Sequence, residues 1–212
     1  QKWKKKIKTL NLRGCQANTN SIALIIQQCG QTLLHLNIAK NGSVTDKAFA
    51  FSGMFLQRLR ALDLSDCPKL TDTTILHLCH SLPLSSSLHS LSLSNLPGVT
   101  HHSSFALANS FRNLRTVNLS SCPNLNELAI IYIASRCPAV ALNLSFNGQI
   151  TDEGAMTILH HCCSLRTLQL QGCKQISRAV PEFVKQMKKP NLPPAPFSDT
   201  VERYVGRCGD VH

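Results

Sequence analysis

A unit of about 26 residues is repeated seven times along this chain, and the repeat constrains the fold more than any other feature. In each unit, apolar residues recur at offsets 0, 3 and 5 from the first residue, six of the seven units also have one at offset 11, and offset 8 is Cys in four units. The units start at Ile7, Leu33, Leu59, Leu88, Leu114, Ala139 and Leu165. Such a period is typical of a solenoid, in which each coil buries its apolar face against the neighbouring coils.

Each unit predicts one strand and one helix. The alternation in Leu62-Asp63-Leu64 indicates a short strand with one buried face, which can pair only with the equivalent strand of the next unit. Thr71-Asp72 then places an N-cap residue and an acid at a helix start, and apolar residues at offsets 16 and 19 form the buried stripe of that helix. We therefore expect an α/β fold, a horseshoe-shaped solenoid of seven coils with parallel strands on the concave face and helices on the convex face.

Nine of the ten cysteines follow the repeat. Four lie at offset 8, namely Cys15, Cys67, Cys122 and Cys173, and five lie at offsets 20 to 24, namely Cys29, Cys79, Cys137, Cys162 and Cys163. Equivalent positions of a solenoid have equivalent burial, and a reduced Cys is among the most buried side chains. We expect reduced core cysteines in a reducing compartment, which predicts an intracellular, cytoplasmic location.

The repeat has one interruption and two non-repetitive ends. The gap between the third and fourth units is 29 residues, and the extra residues fall in 80–87, where Pro83 and a Ser run predict a bulged return loop. We divide the chain into a basic lead (1–6), a repeat domain (7–189) and a Pro-rich tail (190–212). The tail either caps the last coil or tethers a partner.

The net charge of +11 is concentrated at the two ends. Residues 1–13 contain six Lys or Arg and no acid, whereas residues 14–173 contain nine basic and seven acidic residues. A nucleic-acid binder usually carries a basic stripe across its folded surface, which the nearly neutral repeat body lacks. Contact with RNA or an acidic partner is therefore a lesser alternative, which would use the basic termini. No apolar run is long enough for membrane insertion. The sequence starts without Met or a signal peptide, which suggests a fragment or a trimmed product.

The sequence lacks the motifs of catalysis and metal binding. It has no Gly-rich phosphate loop, nucleophile elbow or kinase signature. The segments 77–80 (His-Leu-Cys-His) and 160–163 (His-His-Cys-Cys) each lack the second Cys/His pair of a zinc site. We therefore expect no enzymatic activity, no cofactor, no metal and no small-molecule substrate.

The motif Leu-x-x-Leu-x-Leu-x-x-Cys-x-x-Leu/Ile-Thr-Asp resembles the cysteine-containing class of leucine-rich repeats. Residues 59–72 match it fully, residues 165–177 closely, and residues 139–152 with Asn147 in place of Cys. The chain is similar to the repeat arm of F-box/LRR proteins, in which the arm selects a substrate and a separate F-box docks onto the adaptor of a cullin ubiquitin ligase. Only six residues precede Ile7, so that role implies an F-box upstream of Gln1. Related arms without an F-box are scaffold subunits, for example in ciliary assemblies.

These observations predict a protein–protein interaction scaffold, an architectural or adaptor subunit of a multi-subunit complex. The alternatives are the substrate-recognition arm of a ubiquitin ligase and a ribonucleoprotein subunit that contacts RNA through its basic ends. The candidate binding residues lie in the lead and at the exposed strand positions: Trp3, Lys4, Lys5, Lys6, Lys8, Asn11, Arg13, Asn37, Arg60, Asp63, Arg115, Asn118, Asn143, Arg166 and Gln169. We also expect the uncovered apolar face of the first coil to dock an upstream segment or another subunit.

Overall fold

Seven short parallel strands form one sheet, in the order of the sequence. The computed structural model describes residues 7–136, 139–162 and 164–180; the lead with Trp3, Lys4, Lys5 and Lys6, the tail 190–212, Cys137 and Cys163 lie outside the described residues. The strands are β1 (Thr9–Asn11), β2 (His35–Asn37), β3 (Ala61–Asp63), β4 (Ser90–Ser92), β5 (Thr116–Asn118), β6 (Ala141–Asn143) and β7 (Thr167–Gln169). Equivalent residues pair across the sheet, as Leu36 does with Leu10 and Leu62, so the predicted coil-to-coil register is confirmed.

The core is a continuous stack of the apolar residues at offsets 3 and 5. Leu62 and Leu64 of the third coil are 2% and 0% exposed, and their equivalents in coils 2 to 7 are buried in the same way. Full burial of one Leu contributes about 2 kcal/mol, so this stack supplies most of the driving force for folding. Leu10 and Leu12 of the first coil are only half-buried, because no described coil covers their N-terminal side. The uncovered face of the first coil is thus present, and its docking role stays a prediction.

One residue in the left-handed conformation turns the chain out of every strand. It lies at offset 7, and its N–H donates to the carbonyl at offset 6 of the following coil, as Asp66 N does to Ser94 O over 2.9 Å. The column consists of Gly14, Lys40, Asp66, Asn95, Ser121, Phe146 and Gly172, with φ between 56° and 70°. Gly, Asn and Asp tolerate this conformation, whereas a bulky side chain rarely adopts it.

The residue at offset 8 stabilises the coil that precedes it. The thiols of Cys67, Cys122 and Cys173 donate to the carbonyl at offset 5 of the preceding coil over 3.2–3.3 Å. The Nδ2 atoms of Asn41 and Asn147 donate to the same position over 2.9 and 2.8 Å. All five side chains are at most 2% exposed, which confirms the predicted burial of these three cysteines. Cys and Asn are therefore equivalent here because both satisfy a buried carbonyl.

The predicted burial of Cys15 is wrong. Its side chain is exposed, because no described coil precedes the first one to supply a carbonyl and apolar neighbours. Among the cysteines near the helix ends, Cys29 and Cys162 are buried and Cys79 is half-buried. The seven described cysteines form no disulfide bond.

Helices cover the other face of the sheet. They are α1 (Thr19–Cys29), a 3-10 helix (Asp46–Phe49), α2 (Ser52–Phe55), α3 (Asp72–Cys79), α4 (Leu82–Ser87), α5 (His101–Ser110), α6 (Glu127–Arg136) and α7 (Asp152–His161). The hydroxyls of Thr71 and Thr151 accept from the backbone N–H of Thr73 and Gly154, as their N-cap positions predict. Thr45 differs, because its hydroxyl lies 3.0 Å from the Thr19 hydroxyl of the first coil and does not cap its own helix.

The acids at the helix starts connect successive coils. The Asp72 carboxylate accepts from Thr100 N (2.9 Å) and Thr100 Oγ1 (2.6 Å), at the start of the next helix. Asp46 accepts from Thr71 N and Thr71 Oγ1 (both 2.9 Å) in the same way. Hydrogen bonds to a carboxylate are stronger than neutral ones, so these residues fasten the helices to one another.

Two segments of the helical layer differ from the prediction. The second coil has a 3-10 helix and the four-residue α2 in place of one helix, because Phe51 leaves helical geometry (φ −115°, ψ 14°) and Gly53 has a low helix propensity. Gly53 also lies so close to the third coil that an added Cβ would be 2.9 Å from Ser81 Cβ. The predicted return loop at 80–87 is helix α4, since Ser81 Oγ caps Leu84 N and Pro83 lies in the first turn, where no N–H is needed.

Candidate protein-binding face

Polar side chains fill the middle of the concave face, but most of them bond to the fold itself. At offset 4 the side-chain oxygen accepts from the backbone N–H two residues later, over 2.9–3.1 Å. The five residues that do so are all predicted binding residues: Asn11, Asn37, Asp63, Asn118 and Asn143. Their oxygens close the turn after each strand, which leaves mainly the amide N–H groups of the four Asn residues for a ligand.

The serines at the ends of the strands also pair with each other. Ser65 Oγ lies 2.8 Å from Ser92 Oγ, and Ser94 Oγ lies 2.9 Å from Ser120 Oγ. These bonds run from coil to coil and leave a surface of small, mutually satisfied groups. Such a surface can fit the shape of a ligand, but it contributes little binding energy because its hydrogen-bonding groups already have partners.

A shallow depression of about 240 Å³ lies on this face over β5, β6 and β7. It brings together three of the predicted residues, Asn118, Asn143 and Gln169, with Thr116 and Thr167 beside them. The structure does not bring these residues together with Lys8, Asn11 and Arg13, which lie in the first coil at the other end of the sheet.

A row of basic side chains borders the concave face where the strands begin. We call this offset-1 column the basic ridge; it consists of Lys8, Leu34, Arg60, His89, Arg115, Val140 and Arg166. The side chains of the four Lys and Arg residues and of His89 are exposed, and those of Leu34 and Val140 are half-buried. The backbone of the ridge is fixed by the sheet: Arg60 N donates to Leu34 O and Arg166 N donates to Val140 O, both over 2.7 Å. Within the described part of the chain, the four cations of the ridge make no ion pair.

Arg13 differs from the cations of the ridge, because acids already surround it. Its guanidinium lies 3.9 Å from an Asp63 oxygen and 3.8 Å from an Asp66 oxygen, and all three side chains are partly exposed. Exposed pairs at this distance contribute little to stability. They do cancel charge, so Arg13 and Asp63 are weaker binding candidates than the ridge.

Phe146 is an exposed aromatic that the sequence analysis missed. It follows β6 at the opposite border of the concave face, and 58% of it is exposed although it occupies the left-handed turn position (φ 62°). Its ring lies against Gly172, where an added Cβ would be 2.4 Å from Phe146 Cδ1. The signal in the sequence was an aromatic in a column otherwise made of small, polar or charged residues.

The convex side carries a second apolar feature that the sequence analysis missed. A groove of about 670 Å³ lies between α1 and the helical segments of the second coil. Leu24, Phe51 and Met54 line it and are 53%, 71% and 64% exposed. Nothing in the described structure covers this groove, so it is an alternative interaction surface.

The described residues show no site for chemistry. No three His, Cys, Asp or Glu side chains among them are placed to hold a metal ion, and His160 and His161 are both exposed. Burial raises the pKa of the Cys79 and Cys122 thiols to about 11, so neither is an activated nucleophile. No helix in the described ranges has the length and hydrophobicity needed to span a bilayer.

Comparison with known proteins identifies the architecture. Residues 140–159 and 161–177 match the model of the leucine-rich repeat family. A chain in the crystal structure of the Rad7 and Elc1 complex in yeast superimposes with a TM-score of 0.64 and 18% sequence identity over 84% of this chain. The superposition covers 44% of that chain, so this protein spans less than half of its length. The fold is that of a leucine-rich-repeat solenoid and resembles the repeat arms of F-box/LRR proteins, and the structural likeness shows the fold alone.

Proposed function

We propose that this leucine-rich-repeat protein is a non-enzymatic scaffold or adaptor subunit that binds a partner protein on its concave face over β5–β7. The observation that carries the proposal is the contrast across this face. Its centre consists of small polar residues such as Asn118 and Asn143, whose side-chain oxygens accept from backbone N–H groups. On its borders, by contrast, Arg115 and Arg166 on one side and Phe146 on the other are exposed. Arg and aromatic residues supply most of the binding energy in protein interfaces.

The three side chains lie on rigid elements. Arg115 and Arg166 are held by backbone hydrogen bonds of 2.8 and 2.7 Å to the preceding coils, and Phe146 N donates to Gln171 O over 2.7 Å. A partner therefore loses little binding energy to ordering the site, because the backbone of these anchors is already positioned. The shallow depression between them accommodates a segment that crosses the strands.

Two exposed phenylalanines on opposite faces provide a matched test. Phe146→Gly removes the concave anchor at a position where glycine suits the backbone, and Phe51→Ser removes a convex one. Tagged wild type and both variants are purified from cells, and co-purifying proteins are quantified by mass spectrometry. We expect a stoichiometric partner that is lost with Phe146→Gly and retained with Phe51→Ser. The reverse pattern would assign binding to the convex groove and overturn the proposal.

The substrate-recognition arm of a cullin ubiquitin ligase is the second candidate. It rests on the resemblance of the repeat motif, which residues 59–72 match fully, to the arms of F-box/LRR proteins. A cullin adaptor among the proteins that co-purify with the full-length gene product would support this role. Stoichiometric structural proteins without ligase subunits would support the scaffold.

The ribonucleoprotein subunit remains a third candidate. It depends on the basic termini, which lie outside the described residues. Release of the partner by ribonuclease, and not by Phe146→Gly, would support it against the concave site.

A further inference from the structure

We infer that the basic ridge binds an extended acidic segment of a partner protein, with one acidic side chain in every three residues. The inference rests on the proposed function and adds the chemistry of the partner. It follows from the spacing of the cations, their free charge and the residues between them.

The cations occupy every second coil. Lys8, Arg60, Arg115 and Arg166 belong to the first, third, fifth and seventh coils, and the sheet holds these coils in register. Since adjacent strands lie about 4.8 Å apart, successive cations are separated by about 9.6 Å. Residues three apart in a polyproline II segment lie on the same face and about 9.3 Å apart, at about 3.1 Å per residue. Acids at positions 1, 4, 7 and 10 of such a segment therefore match the four cations.

The four cations have no counter-charge of their own. The carboxylates that the structure places near the sheet are engaged elsewhere: Asp63 and Asp66 lie close to Arg13. The cations of the ridge are exposed and make no ion pair with any described residue. Four like charges on a fixed backbone produce a continuous positive potential, which a partner with matching negative charges neutralises.

The residues between the cations favour a peptide over a nucleic acid. Leu34 and Val140 separate the cations in the second and sixth coils and present half-buried apolar surface, which suits the small or apolar residues of a peptide. A single-stranded nucleic acid carries a charge at every nucleotide and is usually held by aromatic side chains that stack on its bases. Offsets 1, 2, 4 and 6 contain no Phe, Tyr or Trp in any of the seven coils.

The test uses two fluorescein-labelled ten-residue peptides with the same composition and the full 212-residue chain. The periodic peptide has Glu at positions 1, 4, 7 and 10 with Ala, Ser and Pro between, and the block peptide has its four Glu at positions 4–7. We expect fluorescence anisotropy to show that the periodic peptide binds about five-fold more tightly, because all four ion pairs form only in that register. Equal affinity of the two peptides would overturn the inferred spacing.

Two triple variants distinguish binding to the basic ridge from non-specific attraction to the net positive charge of the protein. Arg60→Gln, Arg115→Gln and Arg166→Gln together remove three ridge cations. The control carries Lys47→Gln, Lys69→Gln and Lys174→Gln, which removes the same charge from exposed positions outside the ridge. Loss of three exposed ion pairs should weaken the periodic peptide about ten-fold in the ridge variant, while the control stays within about two-fold of wild type. Equal weakening in both variants would overturn the assignment to the ridge.

A ten-nucleotide single-stranded RNA is measured beside the peptides. RNA that binds wild type more tightly than the periodic peptide does, and is weakened only in the ridge variant, would replace the peptide as the occupant. If no peptide binds but the cellular partner is still lost with Phe146→Gly, the inference fails and the proposed function stands. If the periodic peptide binds through the ridge but the partner is retained with Phe146→Gly, the inference stands and the concave site of the proposed function fails.

Discussion

Replacement of Asn147 by Ala tests how the coils are held together. Asn147 is fully buried at offset 8 of the sixth coil and makes three hydrogen bonds with backbone groups. Its Nδ2 donates to Leu119 O of the fifth coil and to Leu144 O of its own coil, both over 2.8 Å. Its Oδ1 accepts from Cys122 N over 2.7 Å. Alanine removes all three bonds in a place with little room for water.

The cost follows from the groups that lose their partner. Leaving one buried backbone group without a hydrogen bond costs about 1–3 kcal/mol, and two of the three groups belong to the neighbouring coil. We therefore expect Asn147→Ala to lower the free energy of unfolding by about 3 kcal/mol. Asn147→Cys should cost less, about 1–2 kcal/mol, because the thiol replaces one donor as Cys122 and Cys173 do in their coils.

Urea denaturation followed by circular dichroism measures these differences, with Gln149→Ala as the control because Gln149 is exposed in the same loop. The control should change the free energy of unfolding by less than about 0.5 kcal/mol. A cost for Asn147→Ala that equals the cost of the control, or an order in which Cys is worse than Ala, would refute the capping role of offset 8.

Two further predictions concern single side chains. Because burial raises the pKa of Cys122 to about 11, iodoacetamide at pH 8 should label exposed Cys15 quickly and Cys122 only on unfolding, and equal rates in the native protein would contradict this burial. The same raised pKa means that Cys122 contributes to the free energy of unfolding in full below about pH 9, the pKa of the thiol in the unfolded chain. Urea titrations should show this contribution falling as the pH rises toward 11. Gly172→Ala should destabilise the protein by about 2 kcal/mol, and by less in a Phe146→Ala background, because the clash with the ring is then gone; equal costs would rule out that contact.

The sequence predicted the coil because its apolar pattern at offsets 0, 3 and 5 recurs seven times. Alternation at offsets 3 and 5 specifies the buried face of the strand, and the cap at Thr71 specifies the start of the helix. Burial at offset 8 was predicted from its periodicity, but Cys15 belongs to the first described coil and has no described coil before it, which is why it is exposed. A repeat pattern predicts how deeply a position is buried in an interior coil, but it does not predict whether a neighbouring coil covers that position.

The candidate site was less predictable, because it depends on which polar groups are already bonded. Asn37 and Asn143 are polar and accessible in the pattern, and only the structure shows that their oxygens close the backbone turns. The ridge could be found from its column of basic residues, whereas its free charge depends on where Asp63 lies. Phe146 breaks a column of turn residues, so attention to exceptions in the repeat would have identified it.

The most direct test of the concave binding face is hydroxyl-radical footprinting of the complex with the co-purified partner. Phe146 on the concave border and Phe51 and Met54 on the convex groove are 58%, 71% and 64% exposed, so all three are oxidised in the free protein. Partner binding should protect Phe146 and leave the oxidation rates of Phe51 and Met54 unchanged. Protection of Phe51 and Met54 with Phe146 still fully oxidised would contradict the proposed face.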